Sequence, residues 1–100
     1  FATGYMVALL ERACIDAIMP FLDWPAEQSV GTHIDVSHLA ATPPGLTVTV
    51  RTRLDEINGK QLKFTVSAHD GVDTIAEGKH ERFVIDAEKF KARLQKKIPV

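Results

Sequence analysis

Along residues 3–19 the apolar positions recur every three or four residues. Gly4, Val7, Ala8, Cys14, Ile15 and Ile18 then fall on one side of a helix that turns about 100° per residue. Good helix formers fill the segment, Thr3 is a candidate N-cap and Pro20 ends it. Residues 20–29 carry two prolines and read as a loop. The period then changes to two. Val30, Thr32, Ile34 and Val36 alternate with Gly31, His33, Asp35 and Ser37, which predicts a strand whose inward side continues to His38. After a loop at 41–45, Leu46, Val48, Val50 and Leu54 face one way, and Thr47, Thr49, Arg51 and Arg53 face the other. Asn58-Gly59 predicts a tight hairpin, and Leu62, Phe64, Val66 and Ala68 carry the inner face back. Asp70-Gly71 marks another turn, followed by a fourth strand at 75–85. Gly78 inside it signals a bulge or a close backbone approach. Asp86 caps a short helix over 87–97, which ends near Pro99.

This order predicts one α+β domain over residues 1–100, with the long helix covering one face of a mainly antiparallel sheet. Such a sheet has two edges, and edge-to-edge dimerisation removes one. Twelve Lys and Arg against thirteen Asp and Glu exclude a nucleic-acid binder that works mainly by charge. The single Cys14 excludes a disulfide framework and a multi-Cys zinc site, and it suits a cytoplasmic setting. The longest apolar run, residues 5–10, is far short of the roughly 20 residues of a membrane span. An export signal is absent, and because the chain begins at Phe1, upstream residues are expected.

Glu11 breaks the helical pattern, because it falls in the middle of the apolar stripe. A carboxylate there is costly unless paired, and desolvation favours its protonated form, which suits a general base or nucleophile. The alternatives are a structurally paired Glu or a helix turned so that Glu11 leaves the core. His38 ends the apolar side of the first strand, so the two groups are expected to share one cavity and divide acid–base work. Thr3 lies two turns from Glu11 along the same side, where it would cap the helix or bind Glu11 or substrate. Free N–H groups at the helix start would suit a polarised carbonyl oxygen. Arg12 and Asp16 form an i,i+4 pair. His33, Asp35 and His38 do not make a metal site, because 33 and 35 point away from 38 on a strand. His69 and His80 read as surface or pairing residues, Cys14 as a small core residue, and Lys89, Lys91, Lys96 and Lys97 as a solvated face. Ser37 lacks the G-x-S-x-G setting of a serine hydrolase.

Four blocks in order, FATGYMVALLERAC (1–14), VGTHIDVSHLAATPPGLTVTV (30–50), SAHDGVD (67–73) and GKHERFVI (78–85), give the chain a resemblance to the hotdog-fold thioesterases, closest to the fluoroacetyl-CoA thioesterase group. The resemblance spans nearly the whole chain. It implies a long central helix wrapped by a curved antiparallel sheet, and two subunits paired into a homodimer with the active site at their interface. It implies that Thr3, Glu11 and His38 are the catalytic set and that Gly31 and Arg82 lie near the acyl group. The implied reaction is hydrolysis of a short-chain acyl-CoA, fluoroacetyl-CoA included, without metal or other cofactor; coenzyme A is part of the substrate. The family's N-terminal strand and aromatic lid, which precede the helix, are not in this sequence. A hotdog dehydratase or hydratase and a non-catalytic acyl-CoA-binding module are the competing readings.

Overall fold

The computed structural model describes residues 2–99; Phe1, which opens the first sequence block, and Val100 lie outside the described residues. A 16-residue helix, α1 (Thr3–Ile18), is followed by a 3-10 turn at Met19–Phe21 and then by the strands β1 (Glu27–His38), β2 (Thr49–Asn58), β3 (Gln61–His69) and β4 (Thr74–Asp86). A second helix, α2 (Ala87–Gln95), closes the order. The strands form one antiparallel sheet in the order β1-β4-β3-β2, so that β1 and β2 are its edges.

The helix turns a different side to the core than the stripe predicted. Met6, Leu10, Cys14 and Ile18 are buried, whereas Gly4 and Ala8 are exposed. The rotation is roughly 80° at 100° per residue. Its cause is the size of the side chains. Met6 and Leu10 each remove far more apolar surface from water than Gly4 or Ala8 can, at about 25 cal/mol per Å². Glu11 therefore flanks the buried row instead of dividing it. Leu62, Phe64, Val66 and Ala68 of β3 and Ile75 and Ala76 of β4 complete the core, as the alternation in β3 predicts.

A bulge in β1 decides what faces the helix. Gly31 pairs with Arg82 and His33 with Glu81, which leaves Thr32 as an extra residue. One surplus residue reverses the alternation on its N-terminal side. Ser29 and Gly31 thus share the inner face with Ile34, Val36 and His38, and Val30 turns outward opposite Phe83. The predicted strand had placed Val30 inside and Gly31 outside. A second bulge, between Leu54 and Glu56, interrupts β2, and Leu54 is exposed there instead of filling the core.

The turns follow their local chemistry. Asn58 pairs with Gln61, so the hairpin loop is Gly59-Lys60, one residue later than Asn58-Gly59. Gly59 has φ 63°, the left-handed conformation needed at the first central position of a type II′ turn. Gly78 marks a close approach of β4 to β1, where a Cβ would stand 2.6 Å from Val36 Cα. The loop predicted at 20–29 is shorter than expected, because β1 already begins at Glu27. Asp86 caps α2 by accepting a hydrogen bond from Lys89 N at 3.0 Å. No helix among the described residues is long and apolar enough to cross a membrane.

Candidate active site

The β1 bulge and the rotation of α1 bring four groups together. Glu11 reaches down from α1, with its side chain 37% exposed, to the inner face of β1 and β4. Its Oε1 is 3.8 Å from His80 Nε2 and 3.9 Å from Arg82 Nη1, ion-pair distances that are too long for hydrogen bonds. Gly31 forms the floor. A Cβ at that position would be 2.9 Å from Glu11 Oε1 and 3.3 Å from both Arg82 Nη1 and His80 Cε1. Glu11 is therefore not a carboxylate sunk in an apolar core. It is a half-exposed one whose buried side meets a guanidinium and an imidazole.

Arg82 is buried and heavily bonded. Nε donates to Ser29 Oγ and Nη2 to the Ser29 carbonyl, both at 2.9 Å. Nη1 donates to His80 Nε2 at 3.1 Å. A guanidinium in this setting stays charged at neutral pH and needs its anionic neighbour Glu11. His80 is also buried, with Nδ1 2.7 Å from the His33 carbonyl oxygen and its ring stacked near Phe64 at 6.5 Å between centroids. Burial pushes its pKa down first, and the Arg82 charge adds to this, against the pull of the His33 carbonyl, Glu11 and Glu81.

Of the two roles predicted for His80, surface or pairing, the structure excludes the first and bears out the second, since the ring is buried and bonded to His33 and Arg82. Its signal was present in β4, where Ala76, Gly78, His80, Arg82 and Val84 share one parity and the ends of that row are apolar. Ser29 was missed because the loop predicted at 20–29 hid it. Cys14, beside this cluster in the buried row, has its thiol pushed up to about 11, chiefly by burial; it stays protonated at neutral pH and behaves as a small core residue.

Thr3 and His38 make a second pair, with Thr3 Oγ1 and His38 Nδ1 sharing a hydrogen bond at 3.0 Å. Thr3 is not the N-cap, a position taken by Ala2 without a side-chain bond. Its hydroxyl is turned to the strand instead and holds the ring of His38. The other nitrogen, His38 Nε2, is buried without a hydrogen-bond partner among the described residues. Among these residues no hydrogen bond or ion pair joins Glu11 to Thr3 or His38, so within one chain Glu11 and His38 are not joined directly by either. His33 and Asp35 are exposed on the edge strand, and Arg12 pairs with Asp16 at 3.1 Å as predicted.

The fold and these residues have relatives. A family model described as fluoroacetyl-CoA-specific thioesterase matches residues 1–88. A fluoroacetyl-CoA thioesterase from Streptantibioticus cattleyicolor is 57% identical over 99 residues, which cover 99% of this chain and 70% of that protein. A solved point variant of a fluoroacetyl-CoA-specific thioesterase, in complex with fluoroacetate and CoA, superposes with a TM-score of 0.91 at 56% identity, over 99% of this chain and 77% of the other. A hot-dog-like protein from Thermanaerovibrio acidaminovorans, 21% identical, superposes with a TM-score of 0.92 over 100% of this chain and 73% of the other. At that identity the likeness is one of fold alone, and the fold is the hotdog.

Proposed function

We propose, given that this chain belongs to the fluoroacetyl-CoA-specific thioesterase family and is a hotdog thioesterase, that it hydrolyses a short-chain acyl-CoA, fluoroacetyl-CoA foremost, to the free acid and CoA. The observation that carries the reading is the Glu11 carboxylate set over Gly31 beside the charged Arg82. Glu11 attacks the thioester carbonyl or takes the proton of an attacking water. The positive charge of Arg82 and the backbone at Gly31 receive the acyl group and the negative charge that grows on its oxygen. His38, oriented by Thr3, passes a proton to the departing CoA thiolate. These steps consume one water and need neither metal nor redox cofactor, since carboxylate and imidazole supply all the proton transfers.

We place the two halves of this machinery in a homodimer, in the cytoplasm. Thr3 and Glu11 are eight residues apart on one helix, a rise of about 12 Å. That separation suits a site in which one copy's Glu11 works with its partner's Thr3–His38 pair. Thiol release measured over acetyl-, fluoroacetyl- and longer acyl-CoAs tests the reading. Fluoroacetyl-CoA should be turned over, and Glu11→Gln should lower kcat by at least about a hundredfold with the melting temperature preserved. Unchanged turnover in Glu11→Gln would remove Glu11 from the chemistry.

A further inference from the structure

His80 has no part in the steps above, yet it is 1% exposed and bonded at both ring nitrogens. The His33 carbonyl oxygen 2.7 Å from Nδ1 can only accept, so Nδ1 carries the proton. Nε2 is then a lone pair, and it takes an N–H from Arg82 Nη1 at 3.1 Å. The downward push of burial on the imidazole favours this neutral ring. Around it stand Glu11 on α1, Phe64 on β3, the His33 carbonyl on β1, and Glu81 and Arg82 on β4.

The bonds of Arg82 then leave little freedom. Ser29 holds Nε and Nη2 from one side, and His80 holds Nη1 from another. Two N–H groups are left, one on each terminal nitrogen. The one on Nη1 belongs to the atom nearest Glu11 and the Gly31 floor. We propose that His80 is a positioning residue, whose Nε2 fixes the Arg82 guanidinium so that Nη1 presents its remaining N–H to the acyl group above Gly31. This rests on the role given to Arg82 in the proposed hydrolysis.

Two substitutions in the whole chain separate the two bonds of the ring. His80→Asn keeps a donor near Nδ1 for the His33 carbonyl and loses the acceptor for Arg82. His80→Gln places a carbonyl oxygen near Nε2 and loses the donor. Positioning through Nε2 predicts that kcat/KM for fluoroacetyl-CoA falls about tenfold to a hundredfold in His80→Asn, and that His80→Gln recovers most of that loss. A role confined to tying β4 to β1 predicts the reverse order, and that order would overturn the proposal. The second readout does not depend on turnover. In 15N spectra of the guanidinium, the two Nη signals of Arg82 should be resolved in the native chain and in His80→Gln, and averaged by rotation in His80→Asn. Resolved signals in all three would also overturn it. Absence of thiol release by the native chain would instead strike at the hydrolase reading, leaving the spectra to judge His80.

Discussion

At Gly31 a missing side chain decides how Glu11 is seated. An added methyl would meet the end of a flexible side chain, 2.9 Å away at Glu11 Oε1, so the fold can yield without moving backbone. The carboxylate would have to shift, however, and a displacement approaching 1 Å is worth about a hundredfold in rate. Gly31→Ala should therefore melt within a few degrees of the native protein, which a thermal scan will show, and lose at least about tenfold in kcat/KM in the thiol-release assay. A normal rate would mean that Glu11 has room to spare. Glu11 and His38 stood out in the sequence because one interrupts an apolar period and the other ends one, and Thr3 because it opens the helix, although the cap it was read as is Ala2. Gly31 and Arg82 came from resemblance alone: Gly31 was read on the outward face, and the inward row of β4 that holds Arg82 was not followed. The placement of Glu11 was only half legible. The period gave the correct helix, but counting Gly4 and Ala8 as equals of Met6 and Leu10 set its rotation wrong.

Among elements, the long loop at 39–48 is tied to the turn between β3 and β4 by one carboxylate. Asp70 Oδ2 accepts from the Thr42 hydroxyl at 3.1 Å, and Oδ1 accepts from Val72 N at 2.9 Å and Asp73 N at 2.8 Å. The Asp73 and Val72 N–H groups, in that order, hold its pKa below the ordinary 3.8, with Thr42 adding to them. In the unfolded chain the carboxyl binds its proton more readily, so this contribution to stability is complete above the ordinary value. It drains away as the pH falls through the lower, folded one. Asp70→Asn should therefore be less stable than the native protein at neutral pH, with the gap closing below about pH 4; denaturant titrations at several pH values will measure it. A gap independent of pH would deny the carboxylate this role. The turn at Asp70-Gly71 and the Asp86 cap were readable because both rest on bonds between near neighbours. The two bulges were not, because one extra residue changes neither composition nor hydrophobicity and is fixed only by the strand alongside.

On the scale of the whole molecule, the sheet offers two unpaired edges, and the candidate machinery is split along α1. If the site is shared across a dimer, two inactive variants should complement each other. In a mixed dimer of Glu11→Gln with His38→Ala, one site inherits both lesions and the other none. Chains unfolded together and refolded in equal amounts should regain about a quarter of native turnover, half the dimers being mixed with one good site each. The particle should weigh twice the 11.0 kDa of the chain. No recovery would place the whole set within single subunits. The α+β architecture was readable from the switch of period, whereas assembly depends on a second surface that no single sequence displays. Thr32 adds a constraint of a different kind. Because it shifts every upstream side chain of β1 by one face, the distance in residues between Gly31 and His38 works as a ruler. Descendants of this chain are free to lengthen the loop after His38 at small entropic cost, but losing a single codon between those two positions would turn Gly31 and Ser29 away from Arg82 and dismantle the floor beneath Glu11.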